Sequence, residues 1–255
     1  MLLAIDIGNT NVHLGLWTGG KWRLSWRART VENKMPDEYA VLVRNFLDTA
    51  DVGYGAITGV IISSVVPPLT LAFTELTERY LKQTPIIVRH DMPTGVTIDI
   101  DQPEQAGADR IVNAAAIVAK HSYPAIVIDF GTATTFDVIS NEGALIGVAI
   151  APGIGLAHDA LVSRAARLHK VDLVPPPSPI GKNTIHAMQS GIFWGYVGLV
   201  EGIVKRIKAE MPDYNITVYA TGGLAVLFNE HTEVIDEIIP ELTLDGLHAI
   251  YELNK

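Results

Sequence analysis

Two stretches of this 255-residue sequence share one arrangement of residues suited to holding a phosphate and a cation. Near the start, the apolar run Leu2 to Ile5 leads into Asp6-Ile7-Gly8-Asn9-Thr10-Asn11-Val12. Further on, Ile126 to Ile128 leads into Asp129-Phe130-Gly131-Thr132-Ala133-Thr134-Thr135-Phe136. Each reads as a tight hairpin between two strands, with glycine allowing a backbone path closed to other residues. The N–H groups, hydroxyls and amides of such a turn suit a phosphate, and an aspartate at the strand end suits a cation or its water shell. One Asp-x-Gly turn is common in ordinary hairpins. Two, each opening half of the chain, indicate an internal duplication with a phosphate loop in each half, and hence one nucleotide held between two lobes.

Other residues invite chemistry less directly. Thr221-Gly222-Gly223 follows a strand-like run and precedes a helix; alone it is a loop, and as a third glycine-rich turn after a strand it fits an anion or adenosine contact. Asp109-Arg110 stands at the mouth of a helix and has two readings. The pair is either an acid placed near the positive end of the helix dipole beside an exposed base, or a general base with an arginine fork for a carboxylate or phosphate. The residues alone leave both open. The eight histidines show no metal-ligand spacing. Asp99, Asp101 and Glu104 could line a site, although an irregular acidic loop is usually just solvated. There is no Ser-His-Asp elbow, Walker lysine motif or Gly-x-Gly-x-x-Gly fingerprint.

The elements that must position these residues can be read from periodicity and punctuation. Leu2–Ile7, Val12–Trp17 and Lys21–Ala28 form a three-strand meander. A helix opens at Met35-Pro36-Asp37, a buried strand spans 59–65, a second helix starts at Pro67-Pro68, and Pro85–Val88 is a strand. The first half therefore reads βββαβαβ. Residues 89–106 read as an irregular connection, and Ile111–Lys120 as an alanine-rich helix of the kind that packs closely. The second half repeats the meander at 125–131, 134–140 and 144–150. A helix to about Leu168, a proline-rich loop at 174–179, a long helix from Asn183 to about Met211, a strand at 216–220, a helix from Leu224 and a terminal helix follow. Gly191, Gly195, Gly198 and Gly202 on the long helix suggest close helix packing, within the fold or across a dimer.

Composition bounds the rest. The chain is 48% hydrophobic with a net charge of −9, which supports one large core or two smaller ones and offers no concentrated basic patch for nucleic acid. The Lys205-Arg206-Ile207-Lys208 run reads as an exposed helix end. With no cysteine, disulfides, thiolate nucleophiles and sulfur-ligated metals are excluded. The apolar start lacks a basic leader region, and no apolar stretch is long enough for a membrane-spanning helix, so a cytoplasmic globular protein is expected.

The sequence resembles the type III pantothenate kinases, of the acetate and sugar kinase/actin superfamily. The resemblance rests on Asp6-Ile-Gly-Asn-Thr-Asn, Ile61-Ile-Ser-Ser-Val-Val-Pro-Pro, Gly107-Ala-Asp-Arg, Asp129-Phe-Gly-Thr-Ala-Thr-Thr-Phe-Asp, Ala149-Ile-Ala-Pro-Gly, Gly181-Lys-Asn-Thr and Ala220-Thr-Gly-Gly-Leu, in order over nearly the whole chain. Asp-x-Gly turns mark only the superfamily; the Gly107 and Asp129 segments together are specific to this kinase group. The resemblance implies an α/β fold of two duplicated ribonuclease H-like lobes with mixed sheets, expected at 1–118 and 119–255, around a nucleotide cleft. It implies transfer of the ATP γ-phosphoryl group, with Mg²⁺, to the primary hydroxyl of pantothenate, the first step of coenzyme A synthesis. Asp109 is then the base, and Gly107, Ala108, Asp109, Arg110 and Thr184 hold the substrate. Asp6, Ile7, Gly8, Asn9, Thr10, Asn11, Val12, His13, Thr132, Gly222 and Gly223 hold the nucleotide, and Asp129 a potassium or ammonium ion. A homodimer is also implied. Two departures from the family pattern are Ile100, where many relatives carry an aromatic residue, and Val148, where a second glycine is usual. Two other functions fit the same fold: a non-catalytic accessory factor acting in transcription, and a kinase of another small hydroxylated substrate.

Overall fold

The apolar run at the start of the chain forms strand β1 (Leu2–Ile7), which turns at Gly8 into antiparallel β2 (Asn11–Thr18) and then β3 (Lys21–Arg29). The computed structural model describes residues 1–165, 167–211 and 215–255. Its compact units are Met1–His121 together with Glu241–Lys255, and Ser122–Pro240.

In the first unit, helix α1 (Pro36–Thr49) begins where the sequence places a proline at its first position, and the Glu38 carboxylate accepts from the Met35 N–H at 2.9 Å. Strand β4 (Gly59–Ser64) lies parallel to β1; α2 (Pro67–Leu76) runs on through a π turn to Leu81, and β5 (Ile86–Ile87) closes the sheet in the order β3-β2-β1-β4-β5. The stretch expected to be irregular holds a two-residue strand, β6 (Thr97–Ile98), and a 3₁₀ turn at Pro103–Gln105 before helix α3 (Ala108–Lys120). One face of the sheet buries Leu3, Ile5, Ile7, Val60 and Ile62 with α1 and α2. The other buries Leu2, Ala4 and Ile61 in a cluster with Ile111, Val112 and Ala115 of α3. Coverage on both faces is why β1 and β4 read as near-continuous apolar runs rather than alternating ones.

The second unit repeats the plan. Strands β7 (Ala125–Phe130), β8 (Ala133–Ile139) and β9 (Ala144–Pro152) form the meander, followed by α4 (Ile154–Arg164), α5 (Thr184–Glu210), β10 (Thr217–Gly222), α6 (Ala225–Asn229) and β11 (Glu237–Ile238). β7 pairs antiparallel with β8 and parallel with β10, as β1 does with β2 and β4. The order β9-β8-β7-β10-β11 thus matches β3-β2-β1-β4-β5 strand for strand. Its core joins Ile126, Ile128 and Phe136 to Phe193, Val197 and Val200 of α5. Helix α4 stops at Arg164, short of the expected Leu168; Ala166, inside that expected stretch, lies outside the described residues.

The terminal helix α7 (Leu242–Asn254) returns to the first unit, whereas a division at 118/119 groups it with the second lobe. Its Leu244, Leu247 and Ile250 complete the cluster of Leu2, Ala4 and Ile61, and Thr243 Oγ1 donates to Asn113 Oδ1 at 2.9 Å. Without this helix an apolar sheet face would stay exposed, and each buried Leu or Ile contributes about 1.5–3 kcal/mol. Among the described residues, a Cβ at Gly191, Gly195 or Gly198 of α5 would meet nothing within 4 Å, and one at Gly202 would lie 3.2 Å from the Arg206 guanidinium of the same helix.

Candidate active site

The first unit sets polar side chains at the carboxyl end of β1. Asp6 pairs in register with His13 on β2 and with Ser63 on β4. In-register neighbours share a sheet face, so all three stand on the face that carries Leu2, Ala4 and Ile61, the face α3 and α7 cover. Beyond Asp6 the turn is fixed by its own backbone: the Gly8 N–H donates to the Asn11 carbonyl at 3.0 Å. Thr30, just past the end of β3, braces it, its hydroxyl donating to the Gly8 carbonyl at 2.6 Å and its N–H to the Thr10 carbonyl at 2.9 Å. Asn9, Thr10 and Asn11 are thereby held exposed at the tip, as a phosphate loop requires.

His13 is buried, and burial, followed by the Arg27 guanidinium across the strand pair, lowers its pKa to about 4. The imidazole is therefore neutral at neutral pH, with Nε2 3.5 Å from Glu241 Oε2. Glu241 is held in turn by the Ser25 hydroxyl, which donates to its Oε1 at 3.3 Å.

Helix α3 crosses this face with its Lys120 end over the ring of Trp17, 5.5 Å from the centroid, and Trp17 is the register partner of Leu2 at the start of β1. Gly107–Arg110 stand at the opposite end of that helix, all half-buried. Asp109 Oδ1 accepts the Arg110 N–H at 3.0 Å and lies so close to Gly107 that a Cβ there would be 2.5 Å from it. The carboxylate sits in the first turn, where the helix dipole favours negative charge.

The second unit builds the counterpart turn more tightly. The Gly131 N–H donates to the Ala133 carbonyl at 3.1 Å, and the Gly153 N–H, at the start of α4, to the Thr132 carbonyl at 3.1 Å. Thr221 and Gly222 of β10 pair in register with Asp129 and Phe130. Gly222 has φ +93°, and a Cβ there would lie 2.6 Å from the Phe130 carbonyl oxygen and 2.8 Å from Asp129 Oδ1. Behind the turn, the buried Thr134 hydroxyl meets the Tyr196 hydroxyl of α5, whose pKa burial raises. Asp129, Thr132, Gly222 and Gly223 are thus brought to one place in this unit.

Thr184 is the first residue of α5, exposed, behind an Asn183 cap whose Oδ1 accepts the His186 N–H at 2.8 Å. It lines a cavity of about 810 Å³ between α4 and α5 with Ile154, Leu161, Met188 and Tyr196. Ile100 is half-buried, and Val148 is exposed on β9. Ser63 and Gly153 fall inside two of the motifs that carry the family resemblance without being singled out there, whereas Glu241 and Tyr196 lie in loop and apolar contexts that pattern alone does not mark. Among the described residues no group of three or more His, Cys, Asp or Glu side chains could hold a metal ion, and no helix is long and apolar enough to cross a membrane.

This double arrangement agrees with what the chain is similar to. Residues 2–206 match the model of the family described as type III pantothenate kinase. A type III pantothenate kinase of Roseiflexus sp. (strain RS-1) is 49% identical over 255 residues, covering 100% of both chains. That of Moorella thermoacetica is 48% identical over 254 residues, again covering 100% of both. Among solved structures, an inorganic polyphosphate/ATP-glucomannokinase from Arthrobacter sp. strain KM superposes with a TM-score of 0.51 at 16% identity, covering 100% of this chain and 99% of that one, which shows the fold. The fold is mixed α/β, with two ribonuclease H-like lobes of the actin-like ATPase and sugar kinase type, and the chain belongs to the type III pantothenate kinase family.

Proposed function

We propose that this protein transfers the γ-phosphoryl group of ATP to the primary hydroxyl of pantothenate, giving 4'-phosphopantothenate and opening coenzyme A synthesis in the cytoplasm. The observation that carries this reading is the pair of Asp-x-Gly turns at corresponding strand ends of two units with the same strand order, in a chain of this family.

Phosphoryl transfer asks a protein for charge stabilisation and in-line positioning more than for covalent chemistry. Asp6 to His13 form the first phosphate loop; Thr132 contributes from the second turn, and Gly222 and Gly223 face the nucleoside. A magnesium ion bound with ATP supplies charge neutralisation, and Asp6, at a strand end beside exposed amides and hydroxyls, suits its water shell. The second turn fits a monovalent cation, potassium or ammonium. A Cβ at Gly222 would lie 2.8 Å from Asp129 Oδ1 and 2.6 Å from the Phe130 carbonyl oxygen, so a side chain at 222 would crowd these two hard donors. Asp109 takes the proton from the acceptor hydroxyl. One of its oxygens accepts the Arg110 N–H at the helix start, which orients the carboxylate. Gly107, Ala108 and Arg110 hold the acceptor with Thr184, the guanidinium of Arg110 forking onto the pantothenate carboxylate.

The chain acts as a homodimer in this reading. Among the described residues nothing lies within 4 Å of a Cβ at Gly191, Gly195 or Gly198 of α5, and Leu156, Leu161 and Ile185 of α4 and α5 are exposed, which supports an apolar surface for a second copy to cover.

Purified protein tests the reading in a coupled ADP-release assay with ATP, Mg²⁺ and pantothenate, with and without potassium, against a panel of sugars and small hydroxy acids. Pantothenate-dependent, potassium-stimulated turnover supports it. Turnover on a sugar instead points to a different acceptor, and nucleotide binding without turnover on any acceptor points to a non-catalytic ligand-binding factor.

A further inference from the structure

We propose that Ser63 is a positioning residue for Asp6, its hydroxyl held ready to bond the carboxylate when nucleotide and its cation are bound. Ser63 and Ser64 are adjacent but serve differently. Ser64 accepts the Val66 N–H at 3.1 Å and the Thr70 hydroxyl at 2.8 Å, so its hydroxyl is taken up by the turn that leads from β4 into α2. Ser63 is 0% exposed, and its Oγ has no hydrogen-bond partner among the described residues. Nine in ten or more buried polar groups are paired, and an unpaired hydroxyl away from water is a cost that an alanine would avoid.

The position of Ser63 explains why a serine stands there. It is the register partner of Asp6 at the carboxyl ends of the parallel strands β1 and β4, the place where open α/β sheets receive ligands. Adjacent strands lie about 4.8 Å apart, so the hydroxyl is the immediate lateral neighbour of the Asp6 side chain on the covered face. Complete burial rules out direct bonding to a ligand without opening the core, whereas Asp6, its register partner, is half-buried at the strand end that leads into the turn. On the other side of Asp6 stands its register partner on β2, His13. A neutral donor can orient a carboxylate without cancelling the charge that a cation's water shell needs, which a lysine in that place would do.

This rests on the reading that the Asp6 turn holds the nucleotide. The test is a double-mutant cycle on the affinity for a non-hydrolysable ATP analogue with Mg²⁺, measured by calorimetry for wild type, Ser63→Ala, Asp6→Asn and the double variant, together with unliganded melting temperatures. We expect Ser63→Ala to weaken binding about 10-fold, as for one lost hydrogen bond to a charged group, to leave the unliganded melting temperature unchanged or raised, and to have no further effect once Asp6→Asn is present. An unchanged affinity in Ser63→Ala overturns the proposal, as does the same fold loss in both backgrounds, or a marked drop in unliganded stability. A wild type that binds no nucleotide removes the functional reading and this inference together. A wild type that binds nucleotide but ignores pantothenate removes only the choice of acceptor.

Discussion

The α-carbon of Gly222 rests against the side chain of Asp129, so that a Cβ there would lie 2.8 Å from Asp129 Oδ1 and 2.6 Å from the Phe130 carbonyl oxygen. The two residues come from adjacent parallel strands, β10 and β7, and the contact joins two turns that are more than ninety positions apart in the chain. Any side chain at 222 carries two penalties: a left-handed backbone, and displacement of the oxygens proposed to hold the monovalent cation. Gly222→Ala is expected to destabilise the protein by more than about 1 kcal/mol and to raise the potassium concentration giving half-maximal activity. Urea unfolding and a potassium titration check both effects.

His13 makes stability depend on pH. Its pKa falls from 6.5 to about 4 on folding, chiefly through burial, so between those values the unfolded chain binds a proton that the folded one does not. Stability from this group is fully present above pH 6.5 and is lost as pH falls from there toward 4. His13→Gln is expected to flatten the pH dependence of the unfolding free energy over that window, measured by urea denaturation at half-unit steps. Equal slopes in both proteins would show that His13 is not the group responsible.

Helix α7 is joined to the first unit by a backbone-close contact between Gly246 and the Val112 carbonyl of α3. Gly246→Ala gains helix propensity of about 1 kcal/mol but must push the two helices apart. Overpacking of this kind costs about 1–3 kcal/mol, so the variant is expected to be net destabilised, by up to about 2 kcal/mol, in the unfolding transition of the first unit.

Much of this molecule is legible in its sequence, and the exceptions have physical causes. The two hairpins and their aspartates are plain because glycine and short polar residues interrupt apolar runs at fixed offsets, and the matching strand orders turn that local echo into a structural duplication. The destination of α7 is not legible: Leu244, Leu247 and Ile250 show only that the helix has an apolar side, not which sheet it covers. The α5 glycines signal a close approach in the sequence, yet among the described residues nothing lies within 4 Å of a Cβ built at Gly191, Gly195 or Gly198. Strand β11, at two residues, is shorter than any periodicity can reveal. Ser63 belongs to a motif that carries the family resemblance, but in the sequence it is one residue of a buried strand; its register beside Asp6 and its unpaired hydroxyl distinguish it from Ser64.

The most direct measurement is single-turnover phosphorylation of pantothenate by Asp109→Asn, set beside its affinity for the ATP analogue. The substitution keeps the size of the side chain and an oxygen able to accept the Arg110 N–H, but removes the basic carboxylate. A positioned base contributes about 10²–10⁴-fold. The predicted result is therefore a loss of that order in the transfer rate with nucleotide affinity unchanged, and near-normal transfer in the variant would contradict the assignment of Asp109 as the base.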